Sequence, residues 1–469
     1  MTTHLYILSG ASGSGKTTLL NSVAALNEGE VDPGVMAIRA PKYSERPLRT
    51  NPGDIDDITH VPTIALGEFD IAYVINNVKY GIKIAPIKSL LDRGFNAFII
   101  LSDFRVIRQV KKLMGQQAKA LYVSSAIDAN RLRRIQSERL GFSPTDEEKT
   151  ILAYHFARTS AAARLGWWDR VSDCMTALES DWHAYATDAR STEIRAQKIR
   201  AFHIRYIEHV HLFDNLILNY SENKPEEMGD QAKHLLKRVD QLAPYKKKAF
   251  PPVFVVAAAS GAGKHILMEM LHVIGRDRVR ITSKLAKRAP QREDRGDGMI
   301  ALLRSDGDER PQWPEWWTQD MRAFGEKGEF PPAYDLQWVF HKKQGLTGTG
   351  TQYTVSSMEI QRNIDQCMPQ IFVSNMDQFE SFRERWPYNT VFVYLHRLVS
   401  EHENREFQID KWKGNPAEAE ARIAEKQYVH DMYTQRIAEF DHVLLNTAYK
   451  EDLYDQMFRL LEFYRNPDE

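Results

Sequence analysis

One stretch near the start constrains the fold more than any other. Leu5-Tyr6-Ile7-Leu8 is a short apolar run, followed by Ser9-Gly10-Ala11-Ser12-Gly13-Ser14-Gly15-Lys16-Thr17-Thr18 and then Leu19-Leu20. An apolar run of this length, bounded by turn residues, reads as a buried parallel strand. The segment behind it fits G-x-x-x-x-G-K-[ST] through Gly10, Gly15, Lys16 and Thr17. Glycines let the backbone curl until successive N–H groups face phosphate oxygens, and the following helix adds its positive end. Lys16 can reach the outer phosphates and the Thr17 hydroxyl can ligate magnesium. A Gly/Ser-rich loop matching by chance would lack the strand before it and the helix after it. Gly10, Ser12, Gly13, Ser14, Gly15, Lys16, Thr17 and Thr18 are therefore expected to hold the phosphates of ATP with Mg2+.

The chain, at 469 residues, exceeds one ordinary core, and its opening returns further on. Residues 241–252, with Pro244, Lys246-Lys247-Lys248 and Pro251-Pro252, have the prolines and charge of a linker. Beyond them Val253-Phe254-Val255-Val256 runs into Ala257-Ala258-Ala259-Ser260-Gly261-Ala262-Gly263-Lys264-His265, the same strand and loop in degraded form. Other segments recur in order. Arg288 and Arg292 answer Arg46 and Arg49, and Gly328-Glu329-Phe330 through Tyr334 answers Gly67-Glu68-Phe69 through Tyr73. Tyr353-Thr354 answers Tyr80-Gly81, and Phe440-Asp441 through Asn446 answers Phe213-Asp214 through Asn219. Self-similarity on this scale predicts two tandem α/β domains, residues 1–240 and 253–469, each a parallel sheet flanked by helices.

Taken in order, these motifs resemble the guanylate kinase family of P-loop kinases. The likeness runs from the loop through Arg46-Pro47-Leu48-Arg49 and the Pro52-Gly53-Asp54 turn, Gly67-Glu68-Phe69, Tyr80-Gly81 and the strand Ala97–Asp103. It closes at Phe213-Asp214-Asn215-Leu216-Ile217-Leu218-Asn219 and covers nearly all of residues 4–240 apart from an insertion. The resemblance implies a P-loop kinase that uses ATP and magnesium, with Arg46, Arg49 and Tyr80 clamping the phosphate of an acceptor. His60 takes the place of a second clamp tyrosine. The family reads guanine with a glutamate and a Thr/Ser at positions that here hold Ile71 and Ile82. Isoleucine cannot replace those hydrogen bonds, so the acceptor is expected to be phosphorylated but not guanine. Ribose 1,5-bisphosphate phosphokinase, in the same superfamily, also lacks the guanine readers, and Tyr80-Gly81-Ile82 with Leu91–Asn96 is similar to it.

Residues 126–139 read as a helix carrying Arg131, Arg133, Arg134 and Arg139. A charge run usually marks a solvated face; the resemblance instead implies a lid, with Arg134, Arg139 and either Arg195 or Arg200 closing on the transferring phosphate. Residues 142–192 interrupt the family pattern, and Trp167, Trp168 and Trp182 fit helical packing. Asp103 ends the strand expected beside the loop strand. It could hold magnesium through water or accept a proton from a hydroxyl acceptor, and both roles stay open.

The second half has lost chemistry. Ala258 replaces the first loop glycine, His265 the magnesium-binding hydroxyl, and Asn375 stands where the first half has Asp103. Lys264 survives, so a bound phosphate fits but magnesium-assisted transfer does not, and the copy reads as weakly active, non-catalytic or an interaction module. Its acceptor side is longer and holds Trp313, Trp316, Trp317 and Trp338, with Arg310, Arg322, Lys342 and Lys343 nearby. Aromatic residues among basic ones can stack bases; a small aromatic core is the commoner outcome.

Charge narrows the partners. Lys plus Arg number 62 against 63 for Asp plus Glu, so nothing global draws the chain to nucleic acid. Two cysteines, no room for a signal peptide before the loop strand and no bilayer-length apolar run predict a cytoplasmic protein without membrane contact. The partners expected are ATP and a small phosphorylated acceptor, a nucleotide or a pentose phosphate. A hydroxymethylated pyrimidine within nucleic acid is the alternative acceptor.

Overall fold

Leu5–Ser9 forms β1, and every one of its residues is buried. In the computed structural model the described residues are 3–11, 13–25, 36–47, 58–65, 67–75, 77–125, 201–220, 226–242, 248–259, 261–275, 277–289, 299–303, 313–340, 351–399, 401–447 and 450–466. They belong to two compact units, Met1–Asp240 with Leu398–Asn404, and Gln241–Arg397 with Arg405–Glu469.

In the first unit β1 leads into α1 (Lys16–Ala25), β2 (Ala37–Arg39), β3 (Tyr43–Ser44), β4 (Thr59–His60), β5 (Ile71–Ile75), β6 (Val78–Ile82) and α2 (Ile84–Asp92). Then come β7 (Asn96–Ile100), α3 (Phe104–Met114), β8 (Ala118–Ser125), β9 (Asn215–Asn219) and α4 (Glu226–Leu242). The main sheet has the order β2-β7-β1-β8-β9, with all pairings parallel. Its strands are almost continuously apolar, as expected of a parallel sheet covered on both faces. β1 is central, so the loop behind it opens at the carboxyl ends of the strands, where such sheets bind ligands. A smaller sheet, β4-β3-β6-β5, is inserted between β2 and α2 and is largely antiparallel.

The free edge at β9 is closed by a side chain. Gln231 of α4 accepts from Leu218 N at 2.9 Å and donates to Leu218 O at 2.8 Å, so its carboxamide stands in for a missing strand. Asp214, at the start of β9, accepts from Ala120 N and pairs with Lys111 at 2.9 Å. Burial alone would raise its carboxyl, but Lys111 and Lys119 hold it below the ordinary range.

The second unit contains β10 (Val253–Ala258), α5 (Lys264–Ile274), β11 (Arg280–Ile281), β12 (Lys284–Ala286), β13 (Met299–Ala301), α6 (Gln319–Glu326) and β14 (Leu336–Phe340). It continues with β15 (Thr351–Val355), α7 (Ser357–Asp365), β16 (Gln370–Val373), α8 (Phe379–Arg385) and β17 (Thr390–Arg397). It ends with the part of α9 (Glu401–Lys411) from Arg405 on, then α10 (Pro416–Arg436), β18 (His442–Asn446) and α11 (Lys450–Arg465). The sheet orders repeat, β11-β16-β10-β17-β18 and β13-β12-β15-β14. The small devices repeat too. Gln456 brackets Leu445 as Gln231 brackets Leu218, and Asp441 accepts from Phe392 N as Asp214 does from Ala120 N.

Strand register corrects two matches expected from the sequence. Ile71 opposes Ile82, and Leu336 opposes Val355; Tyr73 opposes Tyr80, and Trp338 opposes Tyr353. Trp338 therefore answers Tyr73. Tyr334 belongs to an insertion, Pro331–Tyr334, placed between a phenylalanine and an aspartate that are adjacent in the first unit. The helix starts agree, since Asp70 accepts from Ile84 N and Asp335 from Ser357 N. Likewise Leu101 N bonds Leu8 O and Ser374 N bonds Val256 O, so Asn375 matches Ser102 on the sheet, not Asp103. One residue fewer before the next helical segment, the 3-10 turn Met376–Gln378 that precedes α8, then gives Asn375 the capping position. At the linker, α4 runs on to Leu242, and Ala249 N bonds Tyr388 O within the second unit.

Candidate functional site

The loop between β1 and α1 is shaped by three left-handed or near-extended glycines, with φ of +151° at Gly10, +82° at Gly13 and +95° at Gly15. A Cβ on Gly10 would meet Val123 O at 2.3 Å, and one on Gly15 would meet Asn219 Nδ2 at 2.8 Å. Only glycine fits either place. Asn219, at the end of β9, donates to Ser14 O at 2.9 Å and so fixes the curl from outside. The Lys16 ammonium folds onto Gly10 O at 2.8 Å and Ala11 O at 2.6 Å, bridging the mouth of the loop. Ser14 is buried, Thr17 half-buried in the first turn of α1, and Thr18 exposed; Ser12 lies outside the described residues.

Asp103 follows β7, which pairs with β1. It is the N-cap of α3, accepting from Arg105 N at 2.8 Å, and its carboxylate pairs with the exposed Arg105 guanidinium at 3.0 Å. Burial pushes the carboxyl up, yet the hydrogen bonds and charge of Arg105 leave it below the ordinary range. A group so firmly ionised is a poor proton acceptor.

Several residues expected to clamp an acceptor phosphate lie together on the small sheet. Ser44 of β3 opposes both His60 of β4 and Tyr80 of β6, and Arg46 lies two residues beyond it. His60 Nδ1 is 3.0 Å from Arg46 O, and Tyr80 stacks on Tyr73 with centroids 5.3 Å apart. Ile71 and Ile82 are direct cross-strand partners and both are buried, a continuous apolar wall beside the tyrosine. Gly81 leaves room for the Phe69 ring, which a Cβ would meet at 2.5 Å. Arg49 and the expected lid residues Arg131, Arg133, Arg134, Arg139, Arg195 and Arg200 lie outside the described residues, as do Trp167, Trp168 and Trp182.

Two groups escaped the sequence reading. Lys42 is buried and donates to Ile100 O at 3.0 Å, with its ammonium 5.9 Å from the Tyr80 ring centre. Lys284 does the same with Val373 O at 3.1 Å and the Tyr353 ring at 5.6 Å. Each lies four residues before an arginine, Arg46 or Arg288, and that repeated spacing was the available signal. Asn219 and Asn446 were visible as motif residues, but their task of holding the loop was not.

In the second unit Lys264 bonds Ala258 O at 3.3 Å and Ala259 O at 3.0 Å, and Asn446 donates to Ala262 O at 2.8 Å. His265 is exposed at the position of Thr17. Asn375 accepts from Asp377 N at 2.8 Å, a cap like that of Asp103 without its charge. Trp313, Trp316 and Trp317 pack into a core. Trp313 stacks on Trp317, Trp316 on Tyr334, and Leu285 and Leu302 complete the cluster. Among the described residues no group of three or more His, Cys, Asp or Glu could hold a metal, and no helix is long and apolar enough to cross a membrane.

No family model matches the chain, and no curated protein does. Among solved structures, guanylate kinase from Anaplasma phagocytophilum aligns at 12% identity over 46% of this chain and 87% of its own, with a TM-score of 0.28. The fold rests on the chain's own geometry: two α/β units, each with a parallel sheet flanked by helices and a loop of P-loop form behind its central strand.

Proposed function

We propose that the first unit is an ATP-dependent phosphotransferase whose acceptor carries a phosphate and is not guanine. The acceptor class is a nucleotide with another base or a pentose phosphate. The observation that carries this reading is the buried Ile71–Ile82 pair beside Tyr80, Arg46 and His60. A phosphate can be clamped there, while a base edge rich in N–H groups would meet only methyl groups.

Transfer of a phosphoryl group asks the protein chiefly for position and charge. The Gly10–Gly15 backbone would hold the outer phosphates of ATP, and Lys16 would exchange its two carbonyl contacts for phosphate oxygens. Thr17 supplies a single hydroxyl at the start of α1, which suits magnesium held mainly by phosphate oxygens and water. Magnesium, when bound with ATP, supplies charge neutralisation on the phosphates. Asp103, ionised and held by an exposed arginine, suits an outer carboxylate better than a general base, which favours an acceptor already ionised. Arg46 and Tyr80, joined by Arg49 and by the lid residues Arg134, Arg139 and Arg200, complete the assignment.

The two halves read as copies of one kinase-type unit, domains 1–240 and 253–469, of which the second does not transfer. Ala258 and His265 support this. A nucleic-acid acceptor has less support, because Trp313, Trp316 and Trp317 of the insertion are consumed in a core. The test is ADP release with GMP and a panel of other nucleoside monophosphates and ribose phosphates. Turnover is expected on a panel member with no preference for GMP; efficient, selective use of GMP would overturn the assignment.

A further inference from the structure

The two units fill one place in the fold differently. In the second, Glu359 in the first turn of α7 reaches the residue that leads into β12. Its carboxylate accepts from Ser283 N at 3.2 Å and from the Ser283 hydroxyl, and Arg362 and Arg280 add positive charge nearby. A carboxylate therefore seals this seam. The first unit has none at that position. Lys42 takes the place of Lys284, so Pro41 takes that of Ser283. The helices α2 and α7 start at Ile84 and Ser357, so Pro86 takes the place of Glu359 and Leu90 that of Asn363.

A cavity of about 340 Å3 stands there instead. Pro41, Ile58, Pro86 and Leu90 give it apolar walls, Arg39 and Lys42 line it with positive charge, and among the described residues no carboxylate does. Arg39 opposes Phe98 on β7, and the residue at the matching register, opposite Ile371 on β16, is Ile281. The unit with the carboxylate has no guanidinium at this register, and the unit with the guanidinium has no carboxylate. Small-molecule sites are concave, about 300–1,000 Å3, mostly apolar and supplied with a few polar groups. A guanidinium presents a planar fork that matches a carboxylate. Arg46, His60, Ile71, Tyr80 and Ile82, to which the acceptor is assigned, do not line this cavity.

We infer that the cavity beside Arg39 is a binding site for a small organic carboxylate with an apolar body. The carboxylate meets the Arg39 guanidinium, with Lys42 as a second positive charge, and the body rests on Pro86 and Leu90. Bound in this way, the ligand ties the segment 39–42 to α2, as Glu359 ties Ser283 to α7. The site is separate from the transfer proposed for the first unit and stands or falls without it.

Equilibrium binding of 2-naphthoate to the full chain, followed by its fluorescence, tests this, with 2-naphthamide as the uncharged counterpart. One equivalent of naphthoate is expected to bind. The amide should bind roughly tenfold more weakly, the scale of one charge-assisted hydrogen bond. Arg39→Met, which keeps an apolar stem on the edge strand β2, should weaken naphthoate by a similar factor. So should Pro41→Ser combined with Pro86→Glu, which gives the first unit the carboxylate clasp of the second. Circular dichroism checks that each variant is folded, and Arg39→Met decides alone if the double variant is not. No binding of naphthoate, equal binding of the amide, or unchanged affinity in either folded variant would overturn the site.

Discussion

The two units share a strand order but join their small sheets to their main sheets in opposite ways. In the first, Pro41, Pro86 and Leu90 line an open cavity of about 340 Å3 together with Arg39, Lys42 and Thr59. Strand register and helix starts match these three residues to Ser283, Glu359 and Asn363. There the seam is zipped. Ser283 donates its hydroxyl to Glu359 and lies 2.7 Å from Tyr334 OH, Trp317 Nε1 donates to Tyr334 OH, and Asn363 links Arg280 to Gln370. Phosphoryl transfer needs an acceptor site that can close on the donor phosphates. A buried, satisfied polar network fixes one arrangement, and Pro41, Pro86 and Leu90 of the first unit cannot form its counterpart. The proposed acceptor side of the first unit therefore lacks, at the matching residues, the polar clasp that holds the second.

The comparison breaks hardest at the first loop residue. Gly10→Ala drives a Cβ into the Val123 carbonyl, so ATP turnover should fall by about 10^2- to 10^3-fold, the scale for losing a phosphate-stabilising contact; kcat measurement on the variant checks it. The second unit tolerates alanine at the matching Ala258, which is not among the residues with positive φ.

A smaller effect is expected at the capping position. Asp103→Asn keeps a cap of the kind Asn375 makes and loses an ion pair to an exposed arginine, so stability should move by less than about 1 kcal/mol. Turnover should drop roughly tenfold, with a higher magnesium requirement, if an outer carboxylate assists. A magnesium titration of kcat, alongside thermal unfolding, separates the two.

The smallest effect is a slope with pH. Burial pushes the Glu359 carboxyl up to about 7, against the opposing hydrogen bonds from Ser283. Between the ordinary carboxylate value and about 7 the folded unit holds a proton that the unfolded chain has released. Stability from this group is therefore complete at low pH and lost as pH rises through about 7. Unfolding of the second unit should show that decline between pH 5 and 8, and Glu359→Gln should flatten it.

Much of the fold was legible because its markers are local. The loop glycines, the apolar strands and the Phe-Asp pairs before β9 and β18 each report on a few consecutive residues. Ile71 and Ile82 were legible as substitutions, and the register places them face to face. The misreading of Tyr334 has a physical cause: Pro331–Tyr334 was inserted inside a short, weakly specific segment, and only the pairing of β14 with β15 fixes the frame. Lys42 reaches Ile100 O and Asn219 reaches Ser14 O across long sequence separations, so apart from the repeated spacing of Lys42 and Lys284 to an arginine no local pattern marks their tasks.

The most direct measurement of the asymmetry is single-turnover transfer from γ-labelled ATP by the Lys16→Ala chain with whichever acceptor the wild type uses. Lys16 is the proposed cation on the transferring phosphate and is not among the buried core residues, so transfer should fall by about 10^3-fold or more while the chain stays folded. Transfer that persists in Lys16→Ala and disappears only when Lys264→Ala is added would place the chemistry in the second unit and contradict the account.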